Sequence, residues 1–183
     1  MPAVPRSRYA LFAALALGGC LADLLTKRLM FDWLGMPGGR TYWLWVDVLG
    51  FQTSLNPGAL FGLGPGMWPL FATLSTLAAV AIVCYLFLFR AAVDGFLTVT
   101  LGLITGGILG NLFDRLALHG LKWPALGAGH MAGEPAHAVR DWILVMLGSY
   151  HWPNFNIADS MLVVGAGLLV LPGLWADSEP HKT

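Results

Sequence analysis

Two aspartates, Asp141 and Asp159, stand eighteen positions apart in a chain of which only 11% is Asp, Glu, Lys or Arg. Asp159 opens the apolar run 160–175, and Asp141 precedes the apolar segment 142–147. A carboxylate at the edge of hydrocarbon is expensive on every transfer scale, so such a residue marks a functional site by default. Two carboxylates that converge cannot both ionise cheaply. They share one proton, and such a pair can activate water as in aspartic proteolysis. The spacing leaves room for one or two helical turns, a tight loop and a return, so the two side chains can meet.

Other polar side chains fall in step with this pair. Asp23 and Lys27 are spaced i, i+4, on one face of a helix and able to pair. Asn56 begins the segment Asn56-Pro57-Gly58-Ala59-Leu60-Phe61-Gly62. Asn111, Asp114 and Arg115 follow at i, i+3 and i+4 in GGILGNLFDR, and Asn154 and Asn156 lead into Asp159. These residues fall at one level of one membrane face, where they form a single polar cluster.

The elements that must position them are membrane helices. The 183 residues are 57% hydrophobic with no net charge, and the mean hydropathy is +0.69. A soluble domain is nearer 45–50% apolar and about 25% charged. The reading is an all-α integral membrane protein, one membrane-embedded domain over residues 1–183, with four transmembrane helices and a small β-rich platform. With about 20 residues per crossing, the helices fall at about 9–30, 67–89, 95–118 and 157–175. The fourth is short and needs anchors at its ends. Pro69 suits the first turn of the second helix. Glycines in the third and fourth helices (Gly102, Gly106, Gly107, Gly110, Gly165, Gly167) read as close-packing faces.

Both large loops, about 31–66 and 119–156, lie on the same face. Residues 41–48 mix aromatic and β-branched types and can pair with 50–54 as a hairpin. Tryptophans 33, 43, 45, 68, 123, 142 and 152 share that face, with only Trp175 opposite. This is an interfacial belt or an aromatic grip for something lying along the bilayer. Cys20 and Cys84 sit in apolar runs and read as small buried hydrophobes, not a disulfide. No HExxH or CxxC spacing offers a metal site, and His130 and His137 read as solvated loop histidines. No basic patch suggests nucleic acid. Leu17-Gly18-Gly19-Cys20 looks like a lipidated signal, but the apolar pattern continues past it, so cleavage would halve a spanning helix. Loop charges do not decide the orientation: four basic residues on the terminal side face six on the other.

DLLTK, NPGALFG, GGILGNLFDR and FNIADS, in this order and on these helices, resemble bacterial lipoprotein signal peptidase (signal peptidase II), from about residue 10 to 175. The resemblance implies Asp141, in Val139-Arg140-Asp141, and Asp159, in Asn156-Ile157-Ala158-Asp159, as the catalytic pair. It implies Asn56, Gly58, Asn111, Arg115 and Asn156 as site-lining residues. Asp23, Lys27 and Asp114 become structural support, with Asp114 and Arg115 holding loop and helix together. It further implies an aspartic endopeptidase without metal or cofactor. The enzyme would be a monomer of the bacterial inner membrane, with cytoplasmic termini and a periplasmic site. Its partners are membrane lipid and prolipoproteins, cut on the N-terminal side of a diacylglyceryl-modified cysteine. One departure is the 25-residue connection between Arg115 and Asp141, longer than in that family and rich in Gly, Ala and Pro. A surface insertion costs little closure entropy. A small transporter or a non-catalytic scaffold fits less well. The polar residues lie at one end and leave no polar path across, and a scaffold has no use for converging aspartates, asparagines and an arginine.

Overall fold

Helix α1 (Arg6–Leu34) ends at Gly35, whose φ of 87° and N–H bond to the Phe31 carbonyl (3.0 Å) form a glycine stop. At 29 residues it is about 43 Å long, more than a bilayer core requires. Its faces are inverted relative to a soluble helix. Leu17, Leu21, Leu25 and Leu29 form an i, i+4 stripe, each more than half exposed, while Asp23 and Lys27 are fully buried. Leucine outside and charge inside is the arrangement that lipid, not water, favours.

These features come from a computed structural model that describes residues 2–58, 64, 66–125 and 130–176, with side chains to residue 170. After α1 come strands β1 (Tyr42–Trp45) and β2 (Leu49–Asn56), then helix α2 (Trp68–Val83), with proline in its first turn. A π-turn over Cys84–Leu88 continues α2. Helix α3 (Gly95–Arg115) is N-capped by Asp94, which accepts from the Leu97 amide at 3.2 Å. Strands β3 (Val139–Leu147) and β4 (Tyr150–Phe155) lead into helix α4 (Ile157–Ala176). By length and composition α1, α2 with its π-turn, and α3 are each able to cross a membrane, and the described apolar part of α4 spans Ile157–Val170.

Helix α3 is the centre of the bundle and packs on α1, α2 and α4. Two glycines set its approach. A Cβ on Gly107 would stand 2.6 Å from the Ala158 carbonyl, and one on Gly110 would collide with the Asp23 carboxylate. Away from the sheet, Leu86, Ala92 and Leu101 close the bundle together with Phe12 and Phe87.

The four strands form one antiparallel sheet in the order β1-β2-β3-β4. The pairing of 42–45 with 49–56 agrees with the hairpin read from sequence. The segment 139–156 does not: it is a β-hairpin turned at Gly148 (φ 63°), not helical turns and a loop. The short apolar run VRDWILVML carries no period that separates strand from helix. Pairing with β2, Ser54 opposite Asp141 and Phe51 opposite Ile143, decides the matter. Trp142 is accordingly buried against Phe51, with ring centroids 5.3 Å apart, and is not an interfacial anchor. The loop histidines are also not simply solvated. His137 stacks on Trp68 and His130 on Trp123, each at 3.8 Å. Residues 59–62 of the NPGALFG motif, the Trp175 side chain and Lys182 lie outside the described residues.

Candidate active site

The end of β3 and the start of α4 bring Asp141 and Asp159 to one cleft of about 650 Å³. Asn156 is the link. It is the residue before α4, and its Oδ1 accepts from the Asp159 amide at 2.9 Å, while its own amide donates to Asp159 Oδ2 at 3.2 Å. This reciprocal arrangement is a capping box that holds the carboxylate at the helix N-terminus, where the helix dipole favours negative charge. Asn156 Nδ2 then reaches Asp141 Oδ1 at 2.6 Å and Asn111 Oδ1 at 3.2 Å. One buried amide thus caps a helix and bridges towards both aspartates.

Asn111, on α3, completes the second contact to Asp159: its Nδ2 donates to Oδ1 at 2.8 Å. Its orientation is fixed from α1, because Lys27 Nζ donates to Asn111 Oδ1 at 2.9 Å. The same ammonium contacts Asp23 Oδ2 at 2.6 Å and Asp114 Oδ2 at 3.1 Å, so its three N–H groups each have an acceptor. Asp23 uses its other oxygen to receive the Ala158 amide at 2.9 Å, tying α1 to the first turn of α4. Lys27, Asp23 and Asp114 have no exposed surface. Desolvated charges persist only when paired and hydrogen-bonded, and these are.

The two carboxylates occupy different environments. Asp141 is 2% exposed, whereas Asp159 is half-buried. Burial, and next the neighbouring charge of Asp159, push the Asp141 carboxyl well above the usual carboxylate range. On the far side of the cleft Asn56 Oδ1 accepts the Gly58 amide at 3.0 Å, and Arg115 Nη2 donates to the Gly58 carbonyl at 3.2 Å. The Arg115 guanidinium lies 5.5 Å from the Phe71 ring centroid. Apolar walls come from Trp152, Phe155, Val163 and Val164. Asn154 also lines the cleft, but its amide is drawn to the Gln52 carbonyl at 2.8 Å.

Asp141, Asp159, Asn111, Arg115 and Asn56 line the cleft, Asn156 joins them, and Gly58 is held at its edge. Asp23, Lys27 and Asp114 lie behind. Asp114 and Arg115 do not pair with each other: Arg115 turns to Gly58, while Asp114 Oδ1 receives Nε and Nη2 of Arg140 at 3.0 and 2.8 Å. Arg140, only 5% exposed, is the residue that motif reading missed. Its signal is the cation beside Asp141 in a strand whose other residues are apolar, which needs a buried anion. The 119–138 connection also reaches the site, since His137 Nδ1 lies 2.9 Å from the Arg115 carbonyl. At its start, burial lowers the His119 imidazole, whose Nδ1 accepts the Leu121 amide at 3.0 Å. Among the described residues no three His, Cys, Asp or Glu side chains are grouped to hold a metal ion.

A family model described as signal peptidase (SPase) II matches residues 15–175. The lipoprotein signal peptidase of Rhodopirellula baltica is 46% identical over 182 residues, 98% of this chain and 78% of that one. The corresponding protein of Bacillus velezensis is 33% identical over 94% of this chain and 98% of its own. That of Aquifex aeolicus is 32% identical over 88% and 84% respectively. In fold, the chain is similar to a bacterial membrane enzyme solved by the in meso method at 2.3 Å resolution, with a TM-score of 0.73 and 24% identity over 94% of this chain and 92% of that one. With a cleft built from two aspartates at the end of such a bundle, and relatives this similar along nearly its whole length, the chain belongs to the signal peptidase II family, membrane proteases that process prolipoproteins.

Proposed function

We propose that this protein is an aspartic endopeptidase that cuts prolipoproteins on the N-terminal side of a diacylglyceryl-modified cysteine, with Asp141 and Asp159 as its catalytic pair. The observation that carries the reading is the shared cleft in which Asn156 bonds both aspartates. Asp141, buried and raised in pKa, holds the shared proton and donates it to the scissile carbonyl as negative charge develops there. Asp159 sits on the α4 N-terminus and accepts from Asn111 and the Asn156 amide. With the shared proton on Asp141, Asp159 serves as the base that takes a proton from water held between the two. The hydroxide equivalent attacks the carbonyl carbon. Asp159 then passes the water's proton to the amide nitrogen and Asp141 recovers its own from the intermediate's hydroxyl, as the C–N bond breaks and the amine of the modified cysteine leaves.

The remaining lining divides the substrate. Arg115, Asn56 and the Gly58 turn face the peptide backbone, and the apolar wall of Val163, Val164, Trp152 and Phe155 takes the acyl chains. In this reading the chain crosses the inner membrane four times with cytoplasmic termini and a periplasmic cleft, so an acyl chain enters from the bilayer while water enters from the sheet side. The protein acts as a monomer and needs no cofactor.

Cleavage itself is the test. Purified protein in detergent is given a diacylglyceryl-modified prolipoprotein and its unmodified form in parallel, and the new N-terminus is read by mass spectrometry. The expected product begins at the lipidated cysteine, from the modified substrate alone. Cleavage elsewhere, or of the unmodified form equally well, overturns the substrate assignment.

A further inference from the structure

Beneath the aspartate pair lie four buried charges, Asp23, Lys27, Asp114 and Arg140, and Arg140 spends its bonds on one partner. Arg140 sends three donors to a single carboxylate: its backbone amide to Asp114 Oδ2 at 2.9 Å, and Nε and Nη2 to Oδ1 at 3.0 and 2.8 Å. This grip fixes both the main chain and the side chain of one residue against α3. The next residue in β3 is Asp141, and successive strand residues point to opposite faces. We infer that Arg140 is a positioning residue for Asp141: by clamping the strand to Asp114 on one face, it sets how the aspartate is presented on the other, and it balances the charge beneath the pair.

The charge count supports the second part. Asp23 and Asp114 contribute two negative charges, Lys27 and Arg140 two positive ones, so the buried set is neutral. Asp141 is faced by Asp159 from α4, Lys27 from α1, and Asp114 and Arg115 from α3. Asp23 joins this set through Lys27, and His119, beyond the end of α3, lies beside Asp114 and Arg140. Removing Arg140 leaves a net negative charge beside an acid that already shares a cleft with another. A purely mechanical anchor for β3 needs no ions, since apolar residues of similar volume hold a strand as well or better. The directional grip, with two guanidinium donors on Oδ1 and the backbone amide on Oδ2, is what a plain anchor lacks.

The inference rests on the aspartate pair proposed above, and the experiment separates the two. Arg140→Gln, Arg140→Lys and Asp141→Asn are purified in detergent, checked for folding by size exclusion and melting, and assayed on diacylglyceryl-modified prolipoprotein across pH. Arg140→Gln is expected to lower kcat by about tenfold or more with a smaller change in KM, as misplaced catalytic groups do. It also moves the acidic limb of the pH–rate profile upward by roughly half a unit to one unit, because the net negative charge left on Asp23, Asp114 and Lys27 disfavours ionisation of the pair. Arg140→Lys keeps the charge but loses the fork, so kcat falls while the limb stays in place. A folded Arg140→Gln with wild-type kcat and an unmoved limb overturns the inference while leaving the pair intact. If Arg140→Gln does not accumulate, Arg140→Lys decides: wild-type kcat there overturns the inference, and a lowered kcat supports it. An active Asp141→Asn overturns the pair itself.

Discussion

Lys27→Met tests the buried network most severely. The side chains are similar in length and volume, so the exchange removes the ammonium and little else. Three acceptors lose their donor at once: Asp23 Oδ2 at 2.6 Å, Asn111 Oδ1 at 2.9 Å and Asp114 Oδ2 at 3.1 Å. Asp114 keeps Arg140, and Asn111 keeps Asn156. Asp23 keeps only the Ala158 amide, on its other oxygen, and is left as an uncompensated buried anion. Removing one partner of a buried ion pair costs about 3–5 kcal/mol. For a chain of this size each kcal/mol shifts the melting midpoint by roughly 2–4 °C, so the deficit is on the order of 10 °C. Thermal melting of the detergent-purified protein, followed by intrinsic tryptophan fluorescence, measures it. A midpoint within about 2 °C of wild type would refute the reasoning, because it would mean that Lys27 is not the counter-ion of a desolvated carboxylate.

Two further outcomes follow from other parts of the structure. Burial and the Asp159 charge raise Asp141 in the folded state, so its unfolded pKa is the lower of the two. The stability it contributes is full below about pH 3.9 and is lost as pH rises through the higher folded value. Asp141→Asn escapes that loss: its melting curve should coincide with wild type near pH 4 and lie above it at pH 8, and a lower midpoint at pH 8 contradicts the assignment. Gly107→Ala drives a methyl to 2.6 Å from the Ala158 carbonyl, forcing α3 away from the first turn of α4 beside Asp159. It should cost about 1–3 kcal/mol and most of the cleavage activity, whereas Gly167→Ala, with nothing within 4 Å, should be neutral or slightly stabilising. Equal behaviour of the two alanine variants in melting and cleavage would contradict the packing account.

The helices and the site were legible for a shared reason. Bilayer helices announce themselves by length and apolarity, and in so apolar a chain each polar residue at a helix end stands out. Asp23 and Lys27 illustrate this: i, i+4 spacing on a spanning helix leaves them little to do except pair, and they do so at 2.6 Å. The hairpin of β3 and β4 was hidden, because its strandness comes from pairing with β2 some ninety residues earlier and not from any local period. Arg140 was hidden for a related reason. In sequence it is a loop cation awaiting a count, and only the fold brings Asp114 to it across 26 positions. His130 and His137 likewise read as solvated until Trp123 and Trp68 are seen stacked on them. Local chemistry predicts what a residue needs, while long-range pairing decides which residue supplies it.

If Asp141 and Asp159 together perform the hydrolysis, neither single asparagine variant can cleave. Wild type, Asp141→Asn and Asp159→Asn would be assayed side by side on diacylglyceryl-modified prolipoprotein, each first shown to be folded and membrane-inserted. Product is expected from the wild type alone, with both variants indistinguishable from an enzyme-free control. Turnover surviving in either folded variant would contradict it and move the chemistry to another residue of the cleft.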